Sequence, residues 1–446
     1  MMKLVKHKIL IGLFLVGLSG FSQQKKWTLQ ACVNHALENN ITVAQSENNL
    51  LIDEQDVIAA KGQFLPSARA NVGHSVGIGT QRIDIGSNQI VIDRTTNVTN
   101  LGFGVSQTIF DGFRLTNLHK QSQLNLETSK LELARIKDDI SLNVVNAYLN
   151  ILFNQERLET AQAQLQFSEK QLNQVEELVD SGVQPKVNIY DAEATLSADE
   201  QNVTIAENNY NLALLTLSQL LQLPYDGFNV EIIEVDNPSE ALLYNTISPI
   251  LSYALENRNE IKVAAKNIEN AQLGTEISKS GYYPTVSFNY NFGTNAFFTN
   301  ITDMEESLLH QLDQQKAHSF GLNVGIPIFS RFQNKTAVAK SRIQEENAKL
   351  GLERAKLDLE SNIQRAFTDA QAAFKAFEAA KKSLKSQKLA FENAQERYNI
   401  GVMNAFEIEQ SRVRFINAES ALINAKYDFV FKTKVLDFYM GKSLTN

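Results

Sequence analysis

The chain has 446 residues, with 42 Lys and Arg against 50 Asp and Glu, a formal charge of −8 and one cysteine. An acidic surface repels nucleic acid, whose phosphates require basic partners, and a single cysteine excludes an intrachain disulfide. Beyond the amino terminus no run of about eighteen apolar residues occurs, so no transmembrane helix is expected and any membrane-embedded part must be built from strands.

Lys3, Lys6 and Lys8 precede the apolar run Ile9–Leu18, and Gly20-Phe21-Ser22 has the small-x-small form of a cleavage site. Residues 1–22 therefore read as an export signal. Leu29-Gln30-Ala31-Cys32 faintly resembles a lipidation box, but Lys25, Lys26 and Trp27 separate it from the apolar run. Cys32 reads instead as a small core residue in a helix. A first helix is expected over Thr28–Gly62, followed by a weak alternation from Ala68 to Ile78. A clearer alternation follows, in which Leu101, Phe103, Val105 and Ile109 interleave with Gly102, Gly104, Ser106 and Thr108. Asn117–Asp180 then holds 64 residues without proline or glycine, which allows one helix of roughly 96 Å. Gly182 ends it, and a second helix returns near Val187–Leu223.

After a linker over residues 224–246, the same order recurs. A helix is expected near Ile247–Ser280. Val286, Phe288, Tyr290 and Phe292 alternate with polar residues, as do Phe320, Leu322, Val324, Ile326 and Ile328 with Gly321, Asn323, Gly325 and Pro327. Gln333–Asn399 reads as a second long helix, with an apolar stripe at Ala366, Ala370, Ala373, Phe377, Ala380 and Leu384. Gly401 and a return helix near Ala405–Met440 close the series.

The recurrence has a fixed offset. Ala36-Leu37-Glu38-Asn39 returns as Ala254-Leu255-Glu256-Asn257 and Pro66 as Pro284, both shifted by 218, while Phe110 returns as Phe329 and Gly182 as Gly401, shifted by 219. This marks an internal duplication, with one repeat over 23–223 and the other over 247–446. Strict period-two alternation over about ten residues, with Phe64, Phe110, Phe113, Tyr282, Tyr283, Phe329 and Phe332 crowding the ends, fits outer-membrane strands with aromatic girdles. A soluble antiparallel sheet with one buried face is the alternative. The segments Thr80–Asn97 and Asn295–His318 are expected to be external loops. Four strands cannot close a barrel, for which about eight are needed, so the expected α+β membrane protein must oligomerise.

Catalytic patterns are weak. Gly73-His74-Ser75-Val76-Gly77 fits G-x-S-x-G, but it lies in a strand pattern leading into a polar loop, whereas a nucleophile elbow needs strand, turn and helix. The six histidines are scattered, and neither metal-binding nor P-loop spacing occurs. No catalytic residue, metal or cofactor is expected.

The order of signal, helix, strand pair and glycine-tipped hairpin, repeated once, resembles the TolC-like outer-membrane efflux protein family. Arg397-Tyr398-Asn399-Ile400-Gly401-Val402, continuing to Glu407 and Gln410, carries the most specific likeness, and Val179-Asp180-Ser181-Gly182-Val183 to Asp191 a looser one. The resemblance implies a homotrimer with a 12-stranded outer-membrane β-barrel, continued by a long α-helical coiled-coil barrel in the periplasm. It implies that Gly182, Val183, Gly401 and Val402 dock a periplasmic adaptor protein, where a bare turn is the simpler reading. It places Glu407 and Gln410 at an acidic periplasmic aperture, weakened by glutamine at the second position. A solvated helix face is the plainer reading of Glu407. It also makes Tyr398 and Asn188 a polar link holding the tips shut, with Asn188 standing where an aspartate is common.

The implied function is a passive exit duct for small molecules such as drugs and toxic compounds, fed by an inner-membrane pump of RND or ABC type. A duct for type I protein secretion and a non-conducting periplasmic scaffold are the alternatives, with a secreted esterase using Ser75 behind them.

Overall fold

The computed structural model describes residues 26–86, 88–232, 244–301 and 306–444; the expected signal and part of the linker lie outside them. The elements are α1 (Leu29–Asn39), α2 (Ile41–Gly62), β1 (Ser67–Ile85), β2 (Asn88–Phe110), α3 (Arg114–Asp180), α4 (Val187–Leu220), α5 (Ser248–Asn257), α6 (Asn259–Lys279), β3 (Thr285–Thr299), α7 (Leu308–Gln314), β4 (Ala317–Gly325), α8 (Gln333–Asn399) and α9 (Ala405–Tyr439). Apart from the short α7 in the second half, one series of helices and strands occurs twice. Two compact units result, and each takes segments from both halves of the chain: residues 1–46, 133–258 and 356–446 form one, and 47–132 with 259–355 the other.

The strand unit holds one antiparallel sheet in the order β1-β2-β3-β4. Its register lines up the alternating residues of all four strands. Phe103 pairs with Ala70 on one side and Phe292 on the other. Val105 pairs with Ala68 and Tyr290, and Tyr290 pairs with Phe320. One face is thus aromatic and aliphatic, and the other carries Asn71, Gly102, Gly104, Asn291 and Gly321. On this face Val72 and Phe320 are 77% and 73% exposed, whereas Thr294 and Ala296 are buried, Thr294 Oγ1 donating to the Leu312 carbonyl of α7 at 2.5 Å. A register shift between Thr108 and Phe110 sets Phe110 rather than Ile109 opposite Val286.

The strands differ in extent from the sequence expectation. β1 and β2 pair without interruption from Ser67↔Ser106 to Ile85↔Asn88, so most of the expected loop Thr80–Asn97 is hairpin. The expected loop Asn295–His318 contains the end of β3, the helix α7 and the start of β4. Alternation did not mark these stretches because their polar residues sit on both faces. β4 stops at Gly325 and leaves out Ile326 and Ile328, because Pro327 cannot donate to a ladder. Past the end of β4, α7 covers the edge of β3: the buried Gln311 accepts from the Phe297 amide at 2.9 Å, in place of a strand partner.

Each strand pair enters its long helix through the same corner. Gly112 and Phe113 have φ of 69° and 66°, and Arg331 and Phe332 have 49° and 64°. The turned-back phenylalanines meet the last aromatics before the corner edge-on, Phe110–Phe113 at 5.4 Å and Phe329–Phe332 at 5.9 Å.

In the helical unit, the two initial helices are broken where the sequence suggested continuity. Asn40 (φ −66°, ψ 129°) separates α1 from α2, and Arg258 (φ −67°, ψ 137°) separates α5 from α6. The breaks are again 218 residues apart, and each extended residue donates its amide to the alanine four back, Ala36 or Ala254. The break at Arg258 lets its guanidinium lie 4.0 Å over the Phe438 ring. The main core joins Cys32 and Ala36 of α1 to Val144, Val145, Tyr148 and Ile151 of α3, Leu214 and Leu217 of α4, and Ile423 and Tyr427 of α9. Tyr148 donates to the Glu231 carbonyl at 2.5 Å, tying in the segment after α4, and Trp27 pairs with Val230 there. The stripe read from the sequence is in place, with Ala370, Ala373 and Phe377 buried.

A Cβ added at Gly112 would lie 2.7 Å from Tyr283 and 2.8 Å from the Ser280 carbonyl, at a left-handed φ, whereas at Gly79 it meets open space. Gly112→Ala should therefore destabilise the protein by about 2 kcal/mol, lowering the thermal midpoint in detergent, while Gly79→Ala leaves it unchanged.

Candidate functional site at the helix tips

Gly182 and Gly401 end α3 and α8 with φ of 76° and 74°. Each tip closes in the same way. Gly182 donates to Val179 and Val183 to Leu178, both at 2.9 Å; Gly401 donates to Tyr398 at 3.0 Å and Val402 to Arg397 at 2.9 Å. This six-to-one closure satisfies the last helix carbonyls and requires a residue free to turn left-handed, here glycine. A Cβ would meet nothing within 4 Å at either glycine, so the demand is one of conformation, not space. The turn leaves Val183 and Val402 exposed at 69% and 63%, and Ile400 and Phe406 stand equally free. The tips thus present apolar knobs that glycine-centred reading of the sequence found only in part.

The structure brings Tyr398 and Asn188 together, but not as partners. Gln184 lies between them: its Nε2 donates to the Tyr398 hydroxyl at 3.1 Å, and its Oε1 accepts from Asn188 Nδ2 at 3.0 Å. Within one chain the three side chains form a relay, Tyr398–Gln184–Asn188. Gln184 follows Val183 in the first tip, so the relay ties one hairpin's turn to the last turn of the other hairpin's first helix. With both ends of its amide engaged, Gln184 holds one orientation. Nothing in the periodicity marked it, because a polar residue in a loop is unremarkable.

Glu407 occupies the third position of α9 and forms a capping box. Asn404 Oδ1 accepts from the Glu407 amide at 2.9 Å, and Glu407 Oε2 accepts from the Asn404 amide at 3.3 Å. One carboxylate oxygen is thus engaged at the helix start, where the dipole favours negative charge. Glu407 and Gln410 are both exposed, and their three-residue spacing puts them on one side of α9. Ser75 lies within β1 opposite Val98, with strand continuing on both sides; the turn and helix of a nucleophile elbow do not surround it. Among the described residues no helix is long and apolar enough to cross a membrane.

The sequence model of the outer membrane efflux protein family matches residues 32–222 and 250–442. The chain belongs to this family. It is an outer-membrane protein with a periplasmic extension. It is 23% identical to outer membrane protein TolC of Escherichia coli K12 over 432 residues, covering 95% of this chain and 83% of that one. The TolC of Vibrio cholerae is 18% identical over 441 residues, with 97% and 95% covered. Among solved structures, the outer membrane protein VceC from Vibrio cholerae superposes with a TM-score of 0.73 at 16% identity over 93% of this chain and 96% of that one. The open-state MtrE outer membrane channel of Neisseria gonorrhoeae gives 0.73 at 20%, with 93% and 89% covered. At these identities the structures establish the fold.

Gln184→Ala removes both bonds of the relay, each worth about 1 kcal/mol, whereas Tyr398→Phe or Asn188→Ala removes one. In planar bilayers Gln184→Ala should raise single-channel conductance at least as much as the other two combined. An effect smaller than either single substitution would sink the relay as a latch.

Proposed function

We propose that three copies of the chain close their sheets into one 12-stranded barrel in the outer membrane, continued by their helices. The trimer is a passive exit duct of a tripartite export system, carrying small molecules such as drugs and toxic compounds. The observation that carries the reading is the four-stranded sheet itself, in which the row Ala68–Val105–Tyr290–Phe320 runs apolar across all four strands and β1 and β4 have unpaired outer edges. In hydrocarbon each unpaired backbone group costs several kcal/mol, so the edges must be paired by other copies. Two, three or four copies would satisfy the edges, and family membership favours three.

The tips suit a periplasmic adaptor protein, which would cover Val183 and Val402 and draw the hairpins apart. Drive comes from an inner-membrane pump of RND or ABC type. Three copies of Glu407 around an axis attract cations and repel one another, so closure falls to packing and to the relay through Gln184. Protein secretion through the same duct is the second reading, since nothing in the tips or strands selects a small cargo.

Deleting the gene should speed accumulation of a fluorescent efflux dye in intact cells. Unchanged accumulation would turn the assignment toward protein or metabolite export. For the aperture, Glu407→Ala should weaken divalent-cation block of the channel, while Asn404→Ala, which removes the other bond of the capping box at a cost of about 1 kcal/mol but keeps the charge, should not. Equal block in Glu407→Ala and parent would remove Glu407 from the ring.

A further inference from the structure

Near the tips, few apolar side chains of the helical unit are fully buried. On α3 the only buried side chain between Leu158 and Val175 is Ser168. On α4 only Ala192 and Asp199 are buried before Ala213, and on α8 only Ala394 after Phe377. On α9, among the described residues, Ile408, Ser411 and Arg412 are the only buried side chains before Ala418. The large apolar core begins beyond these points.

In this thin stretch stands one dense polar joint. Arg412 Nη1 donates to Asp199 Oδ2 at 2.9 Å and to Ser168 Oγ at 3.4 Å. Its Nε and Nη2 both donate to Glu409 at 2.9 Å. Ser168 Oγ donates to Asp199. The side chains of Arg412 and Asp199 are only 5% and 7% exposed. Three helices therefore meet on one guanidinium. At the same level Phe391 of α8 stacks on Phe415 at 5.5 Å and meets Phe167 of α3 at 5.7 Å. Away from the tips the seam between α3 and α9 continues through Gln164–Glu419 at 3.5 Å and Glu156–Lys426 at 3.2 Å. Arg412, Glu419 and Lys426 are spaced by seven on α9, the repeat that keeps one helix face toward a neighbour.

A buried ion pair adds little net stability over apolar packing but fixes register and orientation strongly. Apolar layers slide on one another, whereas a rigid fork with three engaged donors does not. On the tip side of the joint the buried apolar residues are small and few: Val175, Ala192, Ala394 and Ile408. Local opening is easiest where buried apolar contact is least.

We propose that the Arg412–Asp199–Ser168 joint is the pivot of the tip: residues 169–180, 187–198, 392–399 and 405–411 part from one another while the joint holds the helices beyond it in register. Arg412 and Asp199 are positioning residues, which act by fixing where the opening ends. The proposal rests on the ring of copies described under the proposed function.

The test uses full-length protein in detergent with a nitroxide at Val183→Cys or at Ile205→Cys, six residues past Asp199 and 51% exposed. Distances between copies are read by double electron–electron resonance. In the parent, the distribution at position 183 should be at least twice as wide as at 205. In Asp199→Leu/Arg412→Leu, which removes both charges together and strands neither, the distribution at 205 should widen at least twofold. If that pair does not assemble, Asp199→Asn/Arg412→Gln retains hydrogen bonding and serves instead. A distribution at 205 that is already broad in the parent, or still narrow in the variant, overturns the pivot. Absence of any distance between copies at either site overturns the ring, and the pivot with it.

Discussion

The constraint on which the rest depends is the unpaired backbone at the two edges of a four-stranded sheet. A strand edge in water can be blunted with charge or left wet, but in hydrocarbon it must be hydrogen-bonded. β1 and β4 each offer such an edge, on a sheet whose one face carries apolar side chains from all four strands. The chain is accordingly not a finished object by itself. Its exposed valines and phenylalanines are liabilities in a monomer and a lipid-facing band in a closed ring. α7 shows the same constraint locally: where β4 ends before β3, the Gln311 amide takes over the vacant partner's role.

Duplication solves the remaining geometry twice with the same devices. The extended residues Asn40 and Arg258 recur at an offset of 218, and the left-handed corners at Phe113 and Phe332 and the glycine closures at 182 and 401 at 219. They are the points where the backbone must leave regular structure, and there a side chain has least freedom to vary in conformation. Between them the two halves differ freely. The joint at Arg412 has no copy: the positions matching Arg412 and Asp199 are Glu193 and Ala418. The duplicated frame thus carries this buried ion pair once, between its two hairpins.

The sequence made the long helices legible nearly to the residue, because absence of proline and glycine over such lengths has few alternatives; α8 spans Gln333–Asn399 as read. The strands were legible by their apolar faces and lost where those faces ended, so β1 and β2 ran on unseen through Thr80 to Asn97. The breaks at Asn40 and Arg258 carry no proline or glycine and left no signal. At the tips, glycine and its neighbours could be found by spacing, and Tyr398, Asn188 and Glu407 by resemblance. Gln184 could not, since its role comes from two partners far apart in sequence or a turn away. Arg412 was hidden for the same reason, its partners lying 213 and 244 residues off.

Cys32 has a further consequence. It sits fully buried in α1 against the core of the helical unit, and burial pushes its thiol pKa up to about 12. Thiolate, the reactive form, is thus almost absent at neutral pH. In an oxidising compartment its only thiol is therefore shielded from disulfide exchange. Cohesion within the chain rests on no disulfide.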